Sequence, residues 1–366
     1  MKIAVLGAGM VGSAIAIDLS KQYKVTSFDV NEKALNLLSA KAPQVSVEKA
    51  DLRNYENYTK LLSAFDFVVS AVPGFMGYET LKAIINAKKD VVDISFFPED
   101  ALELDALAKT NNVTAIVDCG VAPGMSNLIL GYHNEKMEVT DFEFLVGGLP
   151  KQRVKPFEYK APFSPVDVIE IYTRPSRLME NGKVVTKPAL SEAELIDFEP
   201  VGTLEAFNSD GLRSILFTMS HIPNMKEKTL RYPGHIGLIE SLIKAGFLRE
   251  EKINYNGVEI SPLEFSSKIL FKQWQLLPTE EEFTIMRVIV AGTENGKPKK
   301  VVYDLYDTYD AATQTSSMSR TTGYTCTAAL NLLINKMFTE KGVFPPELVG
   351  KDEKCFASVM EYLEQR

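Results

Sequence analysis

The residues that most clearly indicate chemistry form a glycine-rich loop near the start of the chain, Gly7-Ala8-Gly9-Met10-Val11-Gly12. The loop follows a short apolar run and precedes a helical pattern. In that setting the first glycine permits a tight turn, the second lets a pyrophosphate approach the backbone, and the third lets the helix pack on the strand. The N–H groups at the start of the helix then face the phosphates. All six residues are therefore candidate contacts of a dinucleotide.

A carboxylate at the end of the next strand indicates which dinucleotide is bound. Asp29 lies 17 residues after Gly12 and ends the second apolar run. Its carboxylate can accept hydrogen bonds from both ribose hydroxyls of NAD and would repel the 2′-phosphate of NADP. No arginine follows it directly, because the next residues are Val30 and Asn31. The sequence predicts NAD as the cofactor.

Two later loops are further candidates for cofactor binding. Asp51 and Leu52 follow the third strand, where adenine often lies, although this position fits a helix N-cap equally well. Ala71 and Val72 end the fourth strand and lead into a Pro-Gly turn. Small residues there would let a ribose come close, and an ordinary turn is the alternative.

Three residues are candidates for proton transfer or for orienting a substrate. Asp118 ends the sixth strand, where its carboxylate could pair with a substrate ammonium, hold a water or cap a loop. Asp93 ends the fifth strand and is assigned to substrate binding. His235 follows a Pro-Gly turn at the start of a helix, and a neutral imidazole there could take a proton from an amine or a water. We expect Asp118 and His235 to be catalytic, with a structural histidine as the alternative.

Other polar residues could bind the substrate. Arg231 could hold an α-carboxylate through two parallel hydrogen bonds, and Tyr232 could line the same pocket or simply pack. Arg213 could also bind a carboxylate. Either arginine could instead form an ion pair at a domain interface, and that interpretation is favoured for Arg213. Thr322 and Gly323 could present a helix N-terminus to the substrate or only cap that helix.

The elements that must position these residues alternate over the first 120 residues. Apolar runs, each followed by a helical pattern or a turn, occur at Ile3–Leu6, Tyr23–Phe28, Val45–Val47, Phe67–Val72, Val91–Ile94 and Val113–Val117. This repetition predicts a Rossmann-type, doubly wound parallel sheet in an α/β domain. After Asn127 the pattern changes, and two hairpins are expected, one at Asn256-Gly257 and one with the loop Gly292–Gly296. They predict an α+β second domain with a mainly antiparallel sheet.

The end of the chain is predicted to return to the first domain. A helix is expected from Thr325 to Lys341, stopped by Gly342 and Pro345, and a final helix follows. Residues 1–127 and 320–366 would then form a discontinuous NAD-binding domain, and residues 128–319 a domain for substrate binding and oligomerisation. The long apolar strands expected at 283–291 and 301–305 offer more surface than one helix layer covers. They predict a homo-oligomer, most simply a dimer.

Composition narrows the range of functions. The chain has 366 residues, enough for two domains, and a formal net charge of -8, which disfavours binding to nucleic acid. No spacing of cysteine or histidine is typical of a metal site, and Cys119 has no evident base that would make it a nucleophile. His133 and His221 are expected to be structural. No apolar run is long enough to span a bilayer and no leader is evident, so a small-molecule enzyme of the cytoplasm is expected.

Three segments resemble a known family. They are Asp118-Cys-Gly-Val-Ala-Pro-Gly-Met-Ser-Asn127, Thr229-Leu-Arg-Tyr-Pro-Gly-His235 and Arg320-Thr-Thr-Gly-Tyr324. The chain is similar in them to the saccharopine dehydrogenase family, and more closely to its lysine 6-dehydrogenase-like members. The resemblance adds Asn127 to the candidate substrate-binding residues. It also implies that saccharopine reductases tend to have Asp before the Pro-Gly pair, where this chain has Ala122, and this favours the lysine dehydrogenase branch.

The function expected from these observations is NAD-dependent oxidation of an amino-acid amine. In that reaction a base takes a proton from the terminal amine of lysine, hydride passes to NAD, and water hydrolyses the imine to a semialdehyde. The alternative within the family is a saccharopine or carboxynorspermidine-type dehydrogenase or reductase. An alternative of another class is a non-catalytic redox sensor that binds NAD.

Overall fold

The chain folds into two compact units. The computed structural model describes residues 1–162 and 165–366, without the side chains of residues 165–167. The first unit comprises Met1–Glu138 and Ser319–Arg366, and the second comprises Val139–Met318. The boundary expected after Asn127 falls inside a helix, Met125–Asn134, that is part of the first unit. The backbone of Glu347 approaches Gly131 so closely that a Cβ there would lie 2.1 Å from the Glu347 carbonyl oxygen, and this packing explains the later boundary.

The N-terminal part of the first unit alternates strands and helices, as the apolar runs predict. Ile3, Ala4, Val5 and Leu6 of the first strand are all fully buried. The side chain of Asn31 caps a helix by accepting hydrogen bonds from the backbone of Lys33 and Ala34. The strands are β1 (Lys2–Leu6), β2 (Lys24–Asp29), β3 (Ser46–Lys49), β4 (Phe67–Ser70), β5 (Asp90–Asp93) and β6 (Thr114–Ile116). The helices are α1 (Met10–Ser20), α2 (Glu32–Lys41), α3 (Tyr58–Leu61), α4 (Gly74–Asn86), α5 (Asp105–Thr110) and α6 (Met125–Asn134).

The second unit is built mainly from strands. They are β7 (Glu138–Pro150), β8 (Ser176–Glu180), β9 (Lys183–Lys187), β10 (Glu194–Phe198), β11 (Gly202–Asn208), β12 (Asn224–Arg231), β13 (Ile253–Tyr255), β14 (Val258–Ile260), β15 (Glu282–Glu294) and β16 (Lys297–Thr308). The helices are α7 (Pro165–Thr173), α8 (Ile215–Thr218), α9 (His235–Lys244) and α10 (Pro262–Trp274). Trp274 and Tyr172 are the centre of an aromatic core that also includes Tyr159 and Phe207.

The C-terminal segment adds α11 (Ser317–Ile334), β17 (Gly342–Phe344), α12 (Pro346–Val349) and α13 (Glu353–Glu364). The expected helix from Thr325 to Lys341 was wrong at both ends. Its true start at Ser317 is capped by a distant residue, since Glu282 Oε1 accepts a hydrogen bond of 3.1 Å from the backbone of Met318. Gly342 begins a strand rather than ending a helix, and this strand pairs in parallel with β6.

The first sheet confirms the doubly wound architecture. Its seven strands are all parallel, in the order β17-β6-β5-β4-β1-β2-β3. The chain leaves β1 towards β2 on one side and reaches β4 on the other, so the topological switch lies between β1 and β4. Ligands of such sheets bind outside the carboxyl ends of the strands at this point. The glycine loop follows β1 and Ala71 follows β4, which places both at the switch.

The second sheet confirms a mainly antiparallel second domain. Its main path runs β10-β11-β12-β7-β15-β16, and β8 pairs with both β12 and β9. The strands β12 and β7 pair in parallel, whereas the pairs β10–β11, β11–β12, β12–β8, β8–β9 and β15–β16 are antiparallel. The hairpin at Asn256-Gly257 forms as expected between β13 and β14. The loop expected from Gly292 to Gly296 is too long, because the β15–β16 ladder continues to the pair Glu294 and Lys297. Asn295 and Gly296 have positive φ angles, which makes a two-residue turn.

Candidate functional site

The glycine loop has the geometry of a dinucleotide cradle. A Cβ on Gly7 would lie 2.4 Å from the carbonyl oxygen of Ala71, and one on Gly12 would lie 2.1 Å from that of Gly7. Both glycines are therefore required for packing at the switch point. A Cβ on Gly9, by contrast, would meet nothing within 4 Å. The space beside Gly9 is where a pyrophosphate would approach the backbone, so these residues fit a bound dinucleotide.

The carboxylate of Asp29 is held at the edge of this cradle. One oxygen accepts a hydrogen bond of 2.7 Å from the backbone of Ala8, and the other accepts one of 2.8 Å from Asn31. These two donors fix the carboxylate beside the glycine loop at the end of β2. Each oxygen keeps a further lone pair with which a ribose hydroxyl could pair.

The other predicted cofactor residues differ in their surroundings. The side chain of Leu52 is buried in the core of the unit, where the Tyr58 hydroxyl donates to its carbonyl oxygen. Asp51 is exposed and its carboxylate pairs with Arg53. It does not cap a helix, because the next helical turn begins at Tyr55 and its N-cap position is Asn54. Along the glycine loop, Met10 is exposed and Val11 is half-buried, and at the end of β4 Val72 is buried.

Asp93 and Asp118 lie together at the carboxyl ends of β5 and β6. The Asp93 carboxylate accepts hydrogen bonds from the backbone and the hydroxyl of Ser95, at 2.9 and 3.0 Å. Burial raises the pKa of Asp93 to about 7, against the opposing effect of hydrogen bonds from Ser70 and Ser95, and the neighbouring Asp118 raises it further. A carboxyl group with such a pKa can exchange a proton near neutral pH.

The nearby thiol does not suit nucleophilic chemistry. Burial, followed by the charge of Asp118, raises the pKa of Cys119. Its Sγ lies 3.8 Å from the carbonyl oxygen of Thr325 on α11. The thiol is therefore the stable form, and the expectation that Cys119 is no nucleophile agrees with this environment.

Three predicted substrate residues lie in helices of the first unit, and two of them take part in helix packing. The buried amide of Asn127 donates to Glu347 Oε2 at 3.1 Å and so joins α6 to α12. Gly323 faces α1, because a Cβ there would lie 3.1 Å from Ile15 Cγ1. Thr322 and Gly323 lie inside α11, which begins at Ser317, so the prediction of a helix N-terminus at these residues was wrong.

His235 lies in the second unit within a buried hydrogen-bond chain. Its Nδ1 is 3.0 Å from the carbonyl oxygen of Phe157, and its Nε2 is 2.9 Å from the hydroxyl of Tyr172. Because a carbonyl only accepts, Nδ1 carries the proton and Nε2 accepts from Tyr172. Burial, assisted by the charge of Arg231, lowers the pKa of His235 to about 3. The imidazole is thus neutral, but neither nitrogen is free to act as the general base expected from the sequence.

Arg231 continues this chain. Its Nε donates to the Tyr172 hydroxyl at 2.9 Å, and its guanidinium lies 4.3 Å from the centre of the Tyr159 ring. No carboxylate of the described residues lies within ion-pair distance of this buried guanidinium. Aromatic faces and hydroxyls stabilise the charge instead. Tyr232 is a packing residue here, because its hydroxyl donates to the Pro150 carbonyl oxygen and its ring lies beneath Arg153.

Two family models match the chain, one described as "Saccharopine dehydrogenase NADP binding domain" over residues 3–116 and the other as "Saccharopine dehydrogenase C-terminal domain" over residues 120–366. The chain belongs to the saccharopine dehydrogenase family. The apo saccharopine dehydrogenase (L-Glu forming) from Saccharomyces cerevisiae matches with a TM-score of 0.80 and 19% identity, covering 100% of this chain and 97% of that one. This likeness concerns the fold.

Curated relatives place the family match in context. Rat mitochondrial alpha-aminoadipic semialdehyde synthase is 24% identical over 72% of this chain, which spans only 30% of the rat protein. The carboxyaminopropylagmatine dehydrogenase of Synechocystis is 21% identical over 96% of this chain and 93% of its own length. The saccharopine dehydrogenase [NADP(+), L-glutamate-forming] of Pyricularia oryzae is 28% identical over 56% of this chain and 48% of its own.

The sequence analysis missed a second buried carboxyl group, Glu227. The hydroxyl of Ser209 donates to it at 2.6 Å, and the backbone of Gly211 also donates to it. Burial raises the pKa of Glu227 to about 7, although these hydrogen bonds oppose the increase. Glu227, Thr229 and Arg231 alternate along β12 and so share one face of the sheet. The sequence offered this spacing of two as a signal, but the polar residues Lys226 and Lys228 on the intervening positions hide the period.

Asp118 lies in the first unit and His235 in the second, so their expected meeting across a cofactor cleft stays a prediction. Among the described residues, no group of three or more histidine, cysteine, aspartate or glutamate side chains could hold a metal ion. The described helices include none that is both long and apolar enough to cross a membrane.

Proposed function

We propose that this member of the saccharopine dehydrogenase family oxidises the amine of an amino acid with a dinucleotide cofactor. The observation that carries the proposal is the cradle around Gly9, with the anchored carboxylate of Asp29 at its edge. The dinucleotide would supply the redox chemistry, and the protein would bind and orient the substrate and transfer protons. Relatives named saccharopine dehydrogenase and alpha-aminoadipic semialdehyde synthase support an amino-acid amine as substrate.

Within this class we favour oxidative deamination of the side-chain amine of lysine to a semialdehyde. Asp93 and Asp118 would serve the amine end, because a carboxyl group with a pKa near 7 can pass a proton and its neighbour can pair with an ammonium. Within the second unit, Arg231 would bind a carboxylate, because it is a buried cation to which no described carboxylate is paired. His235 would position the Tyr172 hydroxyl and, through it, Arg231.

A second candidate is the reduction of an imine formed from two substrates. The observation in its favour is the match with the Synechocystis enzyme, which is named a carboxyaminopropylagmatine dehydrogenase and aligns along nearly its whole length. That reaction joins two molecules, so it requires a longer substrate site than lysine alone.

We further propose NAD rather than NADP as the preferred cofactor. The Asp29 carboxylate supports this choice, since a 2′-phosphate placed there would meet a fixed negative charge. The description of the matching family model and the name of the Pyricularia relative both specify NADP, so this preference requires its own test.

We also propose that the protein forms a dimer and that it works in a reducing compartment, which we expect to be the cytoplasm. All three cysteines are buried free thiols, which suits a reducing environment. The dimer is supported by β16, a 12-residue strand at the edge of its sheet.

The experiment is an absorbance assay at 340 nm with the full chain. Each cofactor would be offered with a panel of amino acids and polyamines, and each reduced cofactor with amine and keto-acid pairs, with products identified by mass spectrometry. Lysine-dependent formation of NADH, with loss of one nitrogen, supports the favoured reaction. Turnover only in the reductive direction with two substrates selects the second candidate, and no turnover of any amine rejects both.

A further inference from the structure

A basic residue of the first unit, Arg53, follows the strand that pairs with the end of β2, and the proposed function does not use it. Asp29 pairs with Lys49 across β2 and β3, and the next residue, Ala50, donates a backbone hydrogen bond of 3.0 Å to the Asp29 carbonyl oxygen. The chain then turns through Asp51 and reaches Arg53. The turn that carries Arg53 therefore begins directly beside the residue expected to bind the adenosine ribose.

The guanidinium of Arg53 is held by a single partner in this turn. Its Nε lies 3.0 Å from Asp51 Oδ1 and its Nη2 lies 3.0 Å from Asp51 Oδ2. The backbone N–H of Arg53 also donates to Oδ1, at 3.0 Å. Asp51 thus occupies the planar fork with which arginine binds a phosphate through two parallel hydrogen bonds.

This ion pair can open at little cost. The side chains are 68% and 48% exposed for Arg53 and Asp51, and exposed ion pairs contribute little to stability because water and salt screen them. A phosphate carries more negative charge than one carboxylate, so it can displace Asp51 from the guanidinium.

We propose that Arg53 is the group of this dinucleotide site that binds a 2′-phosphate, and that Asp51 sets how well NADP competes with NAD by occupying Arg53. The inference rests on the proposed dinucleotide function. Asp29 repels the 2′-phosphate and Arg53 attracts it, so the two residues act in opposite directions on the same group. The chain should therefore bind both cofactors, with a preference that depends on the Asp51–Arg53 pair.

The test is a set of binding titrations that require no turnover. Isothermal titration calorimetry would give the Kd values of NAD and NADP, and of 5′-AMP and 2′-AMP as probes of the adenosine half, for the full chain. Arg53→Gln should weaken NADP and 2′-AMP by roughly tenfold, as expected for the loss of a charge-assisted contact, and should leave NAD nearly unchanged. Asp51→Asn should tighten NADP relative to NAD severalfold.

Two further variants test whether the change in NADP affinity depends on Arg53 itself. In the double variant Asp51→Asn/Arg53→Gln, the gain from Asp51→Asn should disappear, because Arg53 is the group that Asp51 occupies. Lys82→Gln removes another exposed cation, which lies on α4 and pairs with Glu79, and it should change neither Kd by more than twofold.

The proposal is overturned if Arg53→Gln weakens NAD and NADP equally, or if Asp51→Asn tightens NADP just as much without Arg53. These outcomes are separate from failure of the proposed function. If no amine is oxidised, the titrations still report on Arg53, and if the wild type prefers NADP, the NAD preference fails while the assignment of Arg53 stands.

Discussion

At the scale of the residue, burial raises the pKa of the Glu227 carboxyl group. The group has a folded-state pKa of about 7 against an ordinary value of 4.5. Between these values the unfolded chain loses its proton while the folded chain keeps it, so stability is lost as pH rises from about 4.5 to 7. Asp93 and Glu282, each with a pKa raised to about 7 by burial, contribute in the same direction, Asp93 from a starting value of 3.8.

We predict that Glu227→Gln reduces this loss of stability. At 1.4 kcal/mol per pKa unit the effect of Glu227 could reach about 3 kcal/mol at pH 7.5 relative to pH 4.5. Urea unfolding at pH 4.5, 6 and 7.5 would measure it. Glu240→Gln, an exposed glutamate on α9, is the control and should leave the pH dependence unchanged. Parallel pH profiles for wild type and Glu227→Gln would contradict the prediction.

His235 leads to a second prediction at the scale of the residue. Its pKa is lowered to about 3 because the ring is buried, so the imidazole should stay neutral from pH 5 to pH 8. The unfolded chain takes up this proton below about pH 6.5, so the contribution of His235 to stability is lost as pH falls. Nitrogen-detected NMR should show a constant Nδ1-protonated tautomer over the range. A titration midpoint between pH 5 and 8 would restore His235 as a candidate base.

Kinetic measurements on a His235 variant should distinguish a positioning role of this residue from a role in proton transfer. If His235 acts through Tyr172, His235→Asn should raise the KM of the amino acid more than it lowers kcat. Loss of a general base lowers kcat about 10²–10⁴-fold. Steady-state kinetics with saturating cofactor distinguishes the two, and Asp93→Asn provides the contrast because its carboxyl group, with a pKa raised to about 7, is the one assigned to pass a proton at the amine end.

At the scale of the element, the strand–loop–helix unit around Gly9 and Gly12 separates folding from binding. Gly9 has φ −69° and ψ −171°, an extended conformation that alanine can adopt, and its Cβ would meet no atom of the chain. Gly9→Ala should therefore fold normally but weaken NAD at least tenfold, because the methyl group takes the space of the pyrophosphate. Gly12→Ala should lower the melting temperature by several degrees, because its Cβ would overlap the Gly7 carbonyl.

Thermal melting and calorimetric titration of both variants measure this difference. A normal NAD affinity in Gly9→Ala would remove the observation on which the proposed function rests. An unchanged melting temperature in Gly12→Ala would show instead that the loop can move to accommodate a side chain.

Elements with local signals were predictable from the sequence. The first sheet follows from continuous apolar strands, and the hairpin at Asn256-Gly257 follows from its turn residues. The start of α11 was not predictable, because its cap comes from Glu282, which is far away in sequence. The strand at Gly342–Phe344 has too few residues to show a period, and it is defined only by pairing with β6.

In the candidate site too, the sequence predicts residues that belong to a local motif better than residues whose role depends on tertiary neighbours. Gly7, Gly9, Gly12 and Asp29 were identified because their spacing has a physical meaning for a dinucleotide. Asn127 was assigned to the substrate from a family-like segment and Gly323 from an expected helix N-terminus, yet both positions contribute to helix packing. The difference between a packing residue and a ligand contact depends on tertiary neighbours, which spacing alone does not reveal.

At the scale of the whole molecule, the edge of the second sheet indicates how two copies of the chain would associate. In the described sheet, β16 pairs with β15 on one side and is the last strand on the other. Its residues alternate between exposed and half-buried from Pro298 to Thr308, and the exposed ones include Val302 and Tyr306, each 46% accessible. A long edge strand with apolar side chains is a template for pairing, and a two-fold axis lets the same strand of a second chain complete it.

We predict a dimer that is formed through this strand. Light scattering after size-exclusion chromatography at about 10 μM should give twice the mass of one chain, and Val302→Lys/Tyr306→Lys should give the mass of one chain, because like charges would face each other across the axis. Val184→Lys is the matched control, since Val184 is also an exposed apolar residue, at 52% accessible, on β9 of the same unit, and it should leave the mass doubled. A wild type of single mass would reject the dimer. If the double variant keeps the doubled mass, the dimer interface does not include β16. If the Val184→Lys control loses the doubled mass, the interface includes β9.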